Sequence, residues 1–248
     1  MKISVITVCR NSAVTIRDTL ASVRDQTYPS VEHIVVDGAS TDDTADIVQQ
    51  HGHVARFVSE PDQGLYDAMN KGIRMATGDV VGILNSDDFY TGPQVLTRVA
   101  HALEISGADV LYADLNYVHP HLPHRTIRHW RSGPYRRDQF RFGWMPPHPT
   151  FFVRREFYEK LGGYDPHFRL AADYELMLRF LYKHRLSACY LPEVLVHMRT
   201  GGISNASLRG RWHANREDRR AWLHNGLRPA FFTLWLKPIR KIPQFFVR

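Results

Sequence analysis

Val80-Val81-Gly82-Ile83-Leu84-Asn85-Ser86-Asp87-Asp88 is an apolar run that ends abruptly in a polar, acidic cluster. A buried strand delivering carboxylates to the rim of a sheet has this pattern. In open parallel sheets, ligands bind outside the carboxyl ends of the strands. Clustered Asp oxygens are hard donors suited to Mg²⁺ or Mn²⁺. A divalent cation held there is placed to hold a diphosphate.

The chain around this run alternates strands and helices. Lys2–Cys9 reads as the first strand, followed by a helix with Ser12 as cap and Ile16, Leu20 and Val23 on one face. His33–Val36 is a second strand ending at Asp37-Gly38, and a helix capped by Ser40 or Thr41 runs to about Gln50. A short third strand covers Ala55–Val58, and Leu65–Ala76 is a helix closed by Gly78. After the Val80–Leu84 strand, Pro93 opens a helix to Ile105, and Asp109–Leu115 is another strand. This order predicts an α/β fold, a Rossmann-like and mostly parallel sheet flanked by helices. Neither G-x-G-x-x-G after the first strand nor G-x-x-x-x-G-K-[ST] occurs, which argues against dinucleotide-binding and P-loop classes.

From His119 to Pro149 the alternation breaks, and the Pro, His, Arg and aromatic content predicts a loop over the site. Phe151–Val153 then reads as a strand, Arg155–Leu161 and Leu170–Lys183 as helices, Ser187–Val196 as extended and Arg209–Leu223 as a polar helix.

Net charge is +7, and all of it comes from the C-terminal end. Residues 1–218 hold 25 cations and 25 acids; seven cations and no acid follow Asp218. Phe231, Phe232, Trp235, Phe245 and Phe246 are interleaved with them. Such a basic, aromatic tail suits an anionic membrane surface through residues 228–248. The alternative is a helix packed on the main domain with its basic face in solvent. Basic residues form no stripe elsewhere, so nucleic acid is not expected as a partner. The two cysteines, Cys9 and Cys189, have no pairing or metal-type spacing and read as free thiols of a reduced compartment. The N-terminal run is too short for a signal peptide, and no apolar stretch reaches 18 residues.

Six segments together resemble the family 2 glycosyltransferases of the GT-A fold. They are Ser4–Asn11, Ile34–Thr44, Ser59–Gly72, Leu84–Asp88, His148-Pro149-Thr150 and Ala171–Glu175. The resemblance covers Ile3 to about Ser204 and is closest to bacterial transferases that build exopolysaccharide or lipid-linked glycans. It implies a domain over 1–205, with a nucleotide-sugar-binding half at 1–118 and an acceptor half at 119–205. Residues 206–248 remain as a helical, basic-aromatic tail.

The resemblance also implies roles. Thr7, Arg10 and Asn11 lie where the nucleoside of a nucleotide-sugar donor, expected to be a UDP-sugar, would sit, and Asp37 matches the position that bonds the base. Asp62, Asp67 and Lys71 belong to a donor-contacting segment; Asp62 and Asp67 read equally well as turn and helix-start residues. Asn85-Ser86-Asp87 stands in place of an Asp-x-Asp motif, with Asp87 as ligand of Mg²⁺ or Mn²⁺ and Asp88 supporting. Asn85 brings an oxygen but no charge. Asp173 matches the general base that deprotonates an acceptor hydroxyl, with His148, Tyr174 and Glu175 on the acceptor side. His197 lies where a late His or Arg can face the diphosphate, but it reads first as a satisfied structural histidine, and His148 reads equally well as structural or acceptor-side. The implied enzyme is an inverting, metal-assisted transferase acting on a lipid-linked or polysaccharide acceptor, peripheral at the cytoplasmic face of the plasma membrane. Two other readings are a non-catalytic nucleotide-sugar-binding subunit and a nucleotidyltransferase. The latter wants a Gly-rich loop after the first strand, and Thr7–Asn11 contains no glycine.

Overall fold

The computed structural model describes residues 1–201, 208–233 and 236–237. Four parallel strands open the chain: β1 (Ile3–Cys9), β2 (Val31–Asp37), β3 (Val54–Ser59) and β4 (Val80–Ile83). They lie in the order β3-β2-β1-β4. The helices between them are α1 (Ile16–Arg24), α2 (Thr44–Gln49) and α3 (Leu65–Met75). Every residue of β1 is buried, because both faces of the sheet are covered. Ile6 and Val8 pack into the layer that holds Tyr66 and Met69 of α3. Val5 packs on the opposite side, where α4 (Val95–Ser106) lies, and Cys9 joins the α1 and α2 cluster.

Past β4 the strand directions mix. β8 (Phe152–Arg154) runs antiparallel to β4 and to β6 (Val110–His119). β9 (Ala188–Arg199) runs parallel to β6, and β5 (Asp88–Tyr90) closes that edge antiparallel to β9. The expected α/β sheet is therefore parallel in its first half and mixed in its second. Gly82 lets β8 approach, since a Cβ there would sit 2.4 Å from the Phe152 ring.

The loop expected over 119–149 is corrected. β6 runs on to His119 and turns back as β7 (Leu122–Trp130), paired antiparallel with β6. Among the described residues β7 pairs with β6 alone, so Pro123 costs no ladder bond on its outer side, and exposed Arg and His side chains discourage further pairing. Pro93 lies before the α4 cap rather than at its first turn, and α2 begins two or three residues later than expected, at Thr44.

The helix expected over Leu170–Lys183 begins as α6 (Ala172–Met177) and continues as a π-helical turn over Leu178–Lys183. It follows α5 (Arg155–Leu161). α7 (Leu208–His224) packs on α6, and its Trp222 is buried in the same core as Tyr174. This part of the C-terminal segment thus follows the packed-helix alternative. Residues 234, 235 and 238–248, most of the 228–248 segment expected at a membrane, lie outside the described residues. Among the described residues no helix is long and apolar enough to cross a membrane.

Candidate active site

The carboxyl ends of β1, β2 and β4 converge on one rim. Asn11 follows β1 with φ of 51°, and its Oδ1 accepts the Thr41 amide at 2.8 Å. Its own amide donates to Ser40 Oγ at 2.8 Å. Asp37 is fully buried and accepts the Ser40 amide at 3.0 Å and the Ser59 hydroxyl at 2.7 Å. Burial and the Asp37 charge push the neighbouring Cys9 thiol far up, which leaves it neutral. Asn11 and Asp37 therefore knit the first two loops together, while Arg10 is exposed beside them.

Gly38 leaves room for Asp62: a Cβ there would lie 2.2 Å from Asp62 Oδ2 and displace that carboxylate. Asp62 Oδ1 accepts the Gly64 amide at 2.8 Å, and Asp67 Oδ2 accepts the Gln63 amide at 3.1 Å. Lys71 Nζ donates to the Pro61 carbonyl at 2.8 Å and pairs with Glu60 at 2.9 Å. Asp62, Asp67 and Lys71 thus hold the 60–64 turn against the tip of β2.

Thr7 is corrected. Its side chain is wholly buried, with Oγ1 3.0 Å from His33 Nε2, and it presents nothing at the rim. Burial, with His53 and His51 nearby, lowers the His33 pKa to about 3, so that imidazole stays neutral.

At the tip of β4, Asn85 Nδ2 donates to Asp88 Oδ2 at 3.1 Å, and the Ser86 and Ser12 hydroxyls lie 2.9 Å apart. Asn85 Oδ1 and Asp88 Oδ1 are buried without a hydrogen-bond partner. Burial raises the Asp87 pKa, against the pull of Arg199. Burial and the charge of Asp87 raise that of Asp88 much further. Orphaned hard oxygens beside two destabilised carboxylates fit a divalent cation. Asp88 is fully buried and stands behind Asp87 rather than at the surface. Among the described residues, no three His, Cys, Asp or Glu side chains converge on one point.

Arg199, which the sequence did not single out, is the cation of this corner. It is buried, donates to the Asp87 carbonyl at 2.8 Å and pairs with Asp18. His197 instead packs its ring on Phe89 with centroids 5.3 Å apart, and its pKa is lowered by burial.

Asp173 sits half-buried in the first turn of α6. Its Oδ1 accepts the Tyr174 amide at 2.8 Å, with Tyr66 Oη at 3.4 Å. Tyr66 stacks on Tyr164, whose hydroxyl lies 2.6 Å from His148 Nε2. Burial lowers the His148 pKa, and Asp173 pulls it the other way. No Lys or Arg pairs with Asp173 among the described residues.

Tyr174 and Glu175, expected on the acceptor side, are corrected. The Tyr174 hydroxyl accepts from Trp222 Nε1 at 2.9 Å, and Lys237 Nζ lies 3.9 Å from its ring centroid. Glu175 is buried against Arg179 and Asn225, each 3.0 Å away. Both side chains serve the α6–α7 interface. Glu217 of α7 accepts the amides of Arg169, Leu170 and Ala171 at 3.2, 2.8 and 3.0 Å, which fixes the turn that delivers Asp173.

Residues 4–172 match the profile of Glycosyl transferase family 2. An uncharacterized glycosyltransferase, MT1564, of Mycobacterium tuberculosis is 36% identical over 188 residues, covering 71% of this chain and 68% of that protein. The crystal structure of S. aureus TarS 1-349 in complex with UDP-GlcNAc superposes with a TM-score of 0.71 at 19% identity, covering 98% of this chain and 73% of that one. Against a longer TarS chain the coverage is 41% of that chain. A mannosyltransferase from Pyrobaculum calidifontis, in complex with GDP-Man and Mn²⁺, gives a TM-score of 0.65 at 19% identity over 96% of this chain and 72% of that one. The chain belongs to glycosyl transferase family 2 and is a glycosyltransferase with a GT-A-type fold.

Proposed function

We propose that this glycosyltransferase is an inverting enzyme that moves a sugar from a UDP-sugar to a hydroxyl of a lipid-linked or polysaccharide acceptor. The observation that carries the reading is Asp173: a half-buried carboxylate held by a backbone amide and a tyrosine, with no cationic partner among the described residues.

In this reading Asp173 takes the proton from the acceptor hydroxyl, whose oxygen attacks the anomeric carbon. The nucleoside diphosphate leaves on the opposite side, so one displacement inverts the configuration. A positioned base contributes roughly 10²–10⁴-fold. Asp87 would hold Mg²⁺ or Mn²⁺, with Asn85 and Asp88 behind it. A cation bound there supplies Lewis-acid stabilisation of the leaving diphosphate. Asn11 and Asp37 order the nucleoside end, and Asp62, Asp67 and Lys71 support its wall. TarS in complex with UDP-GlcNAc and the Mn²⁺-bound mannosyltransferase share the fold and support a nucleotide-sugar donor with a metal.

Residues 228–248 carry the proposed contact with an anionic membrane at the cytoplasmic face. Exposed Arg228 and Phe231, 90% exposed, support it. Deleting 228–248 tests it through binding to phosphatidylglycerol vesicles at low salt.

The donor site is tested by thermal shift with UDP, GDP, dTDP and CMP, each with and without Mn²⁺. A ligand at 100 times its Kd stabilises by about 2.7 kcal/mol. Asp173→Asn is expected to lose sugar transfer and keep nucleotide binding. Unchanged transfer would remove Asp173 as the base.

A further inference from the structure

α7 ends at Gly226, with φ of 70°, and the Leu227 amide donates to the Trp222 carbonyl at 2.8 Å. The chain then folds back over the domain. Lys237 Nζ reaches both carboxylate oxygens of Asp218, at 2.8 and 2.7 Å, and lies 3.9 Å from the Tyr174 ring centroid. The Lys237 backbone crosses the end of a short helical turn, Arg137–Phe142. Gly143, with φ of 76°, makes the room, since a Cβ there would stand 2.5 Å from the Lys237 nitrogen. This crossing sets Phe142 beside Phe232, with ring centroids 5.5 Å apart and stacked. Phe231 meets Phe232 edge-on at 5.1 Å.

Phenyl rings from two distant parts of the chain thus share one place on the surface, and they stay in solvent. Phe142 is 46% exposed, Phe231 90%, and Phe232 is partly exposed. The backbone beneath them is anchored: Phe140 and Thr233, two residues from Phe142 and Phe231, are wholly buried. A single exposed apolar side chain is ordinary, whereas contiguous exposed rings mark a contact surface.

The charge that accompanies the rings is almost all of one sign. Residues 131–147 hold four arginines and one acid, Asp138, and the seven cations after Asp218 come with no acid. Arg141 and Arg228, which flank the rings in the chain, are exposed. Arg141 and Arg137 donate their Nε to the Tyr182 hydroxyl and carbonyl, neutral acceptors that leave both charges in place. Two copies meeting through this surface would oppose like charges. An anionic bilayer suits it better: the rings enter the boundary between headgroups and acyl chains while the cations meet phosphates.

We propose that Phe142, Phe231 and Phe232, with Arg141 and Arg228, form one docking surface for anionic lipid, built jointly by the 137–142 turn and the C-terminal segment. The proposal rests on the membrane reading of residues 228–248 above and extends it to the main domain. A contact made by the domain as well as the tail fixes how the enzyme sits on the bilayer. Lys237 braces the surface on Tyr174, the neighbour of Asp173, and Pro146-Pro147 lead from the turn to His148. Docking would therefore set the Asp173 side of the molecule toward a lipid-linked acceptor.

The test is co-sedimentation of the whole chain with vesicles of phosphatidylglycerol or of phosphatidylcholine at low salt, for wild type, Phe142→Ser and Phe231→Ser, with melting curves as a check on folding. Wild type is expected to bind phosphatidylglycerol more tightly than phosphatidylcholine. Each serine variant is expected to weaken that binding about tenfold, the scale of one phenyl ring withdrawn from the bilayer. Hydrogen exchange of the wild-type chain on the same vesicles needs no variant: protection of 137–143 together with 228–233 is expected. A folded Phe142→Ser chain that binds as wild type does, or protection confined to the C-terminal segment, overturns the proposal while the tail reading stands. Equal binding to the two lipids overturns the anionic assignment. A wild-type chain that binds neither overturns the tail reading and this proposal with it. Self-association that Phe142→Ser abolishes, in place of vesicle binding, assigns the rings to a second copy and overturns the proposal.

Discussion

Glu217 accepts the backbone amide of Ala171 at 3.0 Å, two residues before Asp173. The same carboxylate takes the amides of Leu170 and Arg169. α6 has no side-chain cap of its own, so a residue almost fifty positions later does the capping. Glu217→Ala leaves three donors without this partner and is expected to cost about 2 kcal/mol. A urea midpoint measures that loss. Faster hydrogen exchange confined to amides 169–171, with slower sugar transfer, would locate the effect at Asp173.

Gly38→Ala tests the rim. The new methyl would occupy the place of the Asp62 carboxylate, which must leave its bond to the Gly64 amide. The turn lies in a surface segment, so the expected change in melting temperature is small. Nucleotide affinity is expected to drop by about tenfold or more, the scale of one lost positioning contact. A calorimetric Kd equal to wild type would remove the 60–64 turn from the donor site.

Glu32 gives an acid-side prediction. Burial pushes its pKa up, but bonds from Ser4, Thr77 and Lys2 outweigh burial and bring it down to about 2. A carboxylate lowered on folding stabilises the protein above its ordinary pKa and loses that contribution as pH falls toward 2. The contribution at neutral pH is about 3 kcal/mol. Glu32→Gln should therefore be less stable than wild type at pH 7, with the gap closing between pH 4.5 and 2. Urea titrations across that range measure it.

Asp88 has the opposite sign. Burial and Asp87 raise its pKa, so the folded chain binds a proton more readily than the unfolded one. Its charge therefore costs stability increasingly as pH rises above the ordinary carboxylate range. Asp88→Asn is expected to melt higher than wild type at pH 7 and to lose that advantage as pH falls below 4. A variant that melts lower at pH 7 would mean that the Asp88 charge is already compensated.

The parallel half of the sheet was legible because its strands are buried on both faces and end in short polar tips, as β4 does at Asn85–Asp88. Those tips belong to segments that carry the family resemblance. The β6–β7 hairpin was not legible: β7 is an exposed, single-sided strand, and its Pro123 and clustered histidines read as loop. Thr7 was misjudged because alternation along β1 turns it into the layer with His33. Tyr174 and Glu175 adjoin Asp173 in sequence, yet they serve α7, whose contact with α6 no local pattern announces. Arg199 reaches the Asp cluster only through the pairing of β9 with β5, a relation 112 residues long.

That pairing bears on how the enzyme comes into being. Among the described residues β5 has no strand neighbour except β9, which sits between β5 and β6. During synthesis, the Asp-rich tip emerges long before residues 188–199 exist to pair with it. Contacts of such long sequence separation close slowly, because loop entropy must be overcome first. A nascent chain can thus assemble the β3-β2-β1-β4 core and still lack an ordered Asp87 corner. Competence for transfer is then among the last properties the folding chain acquires.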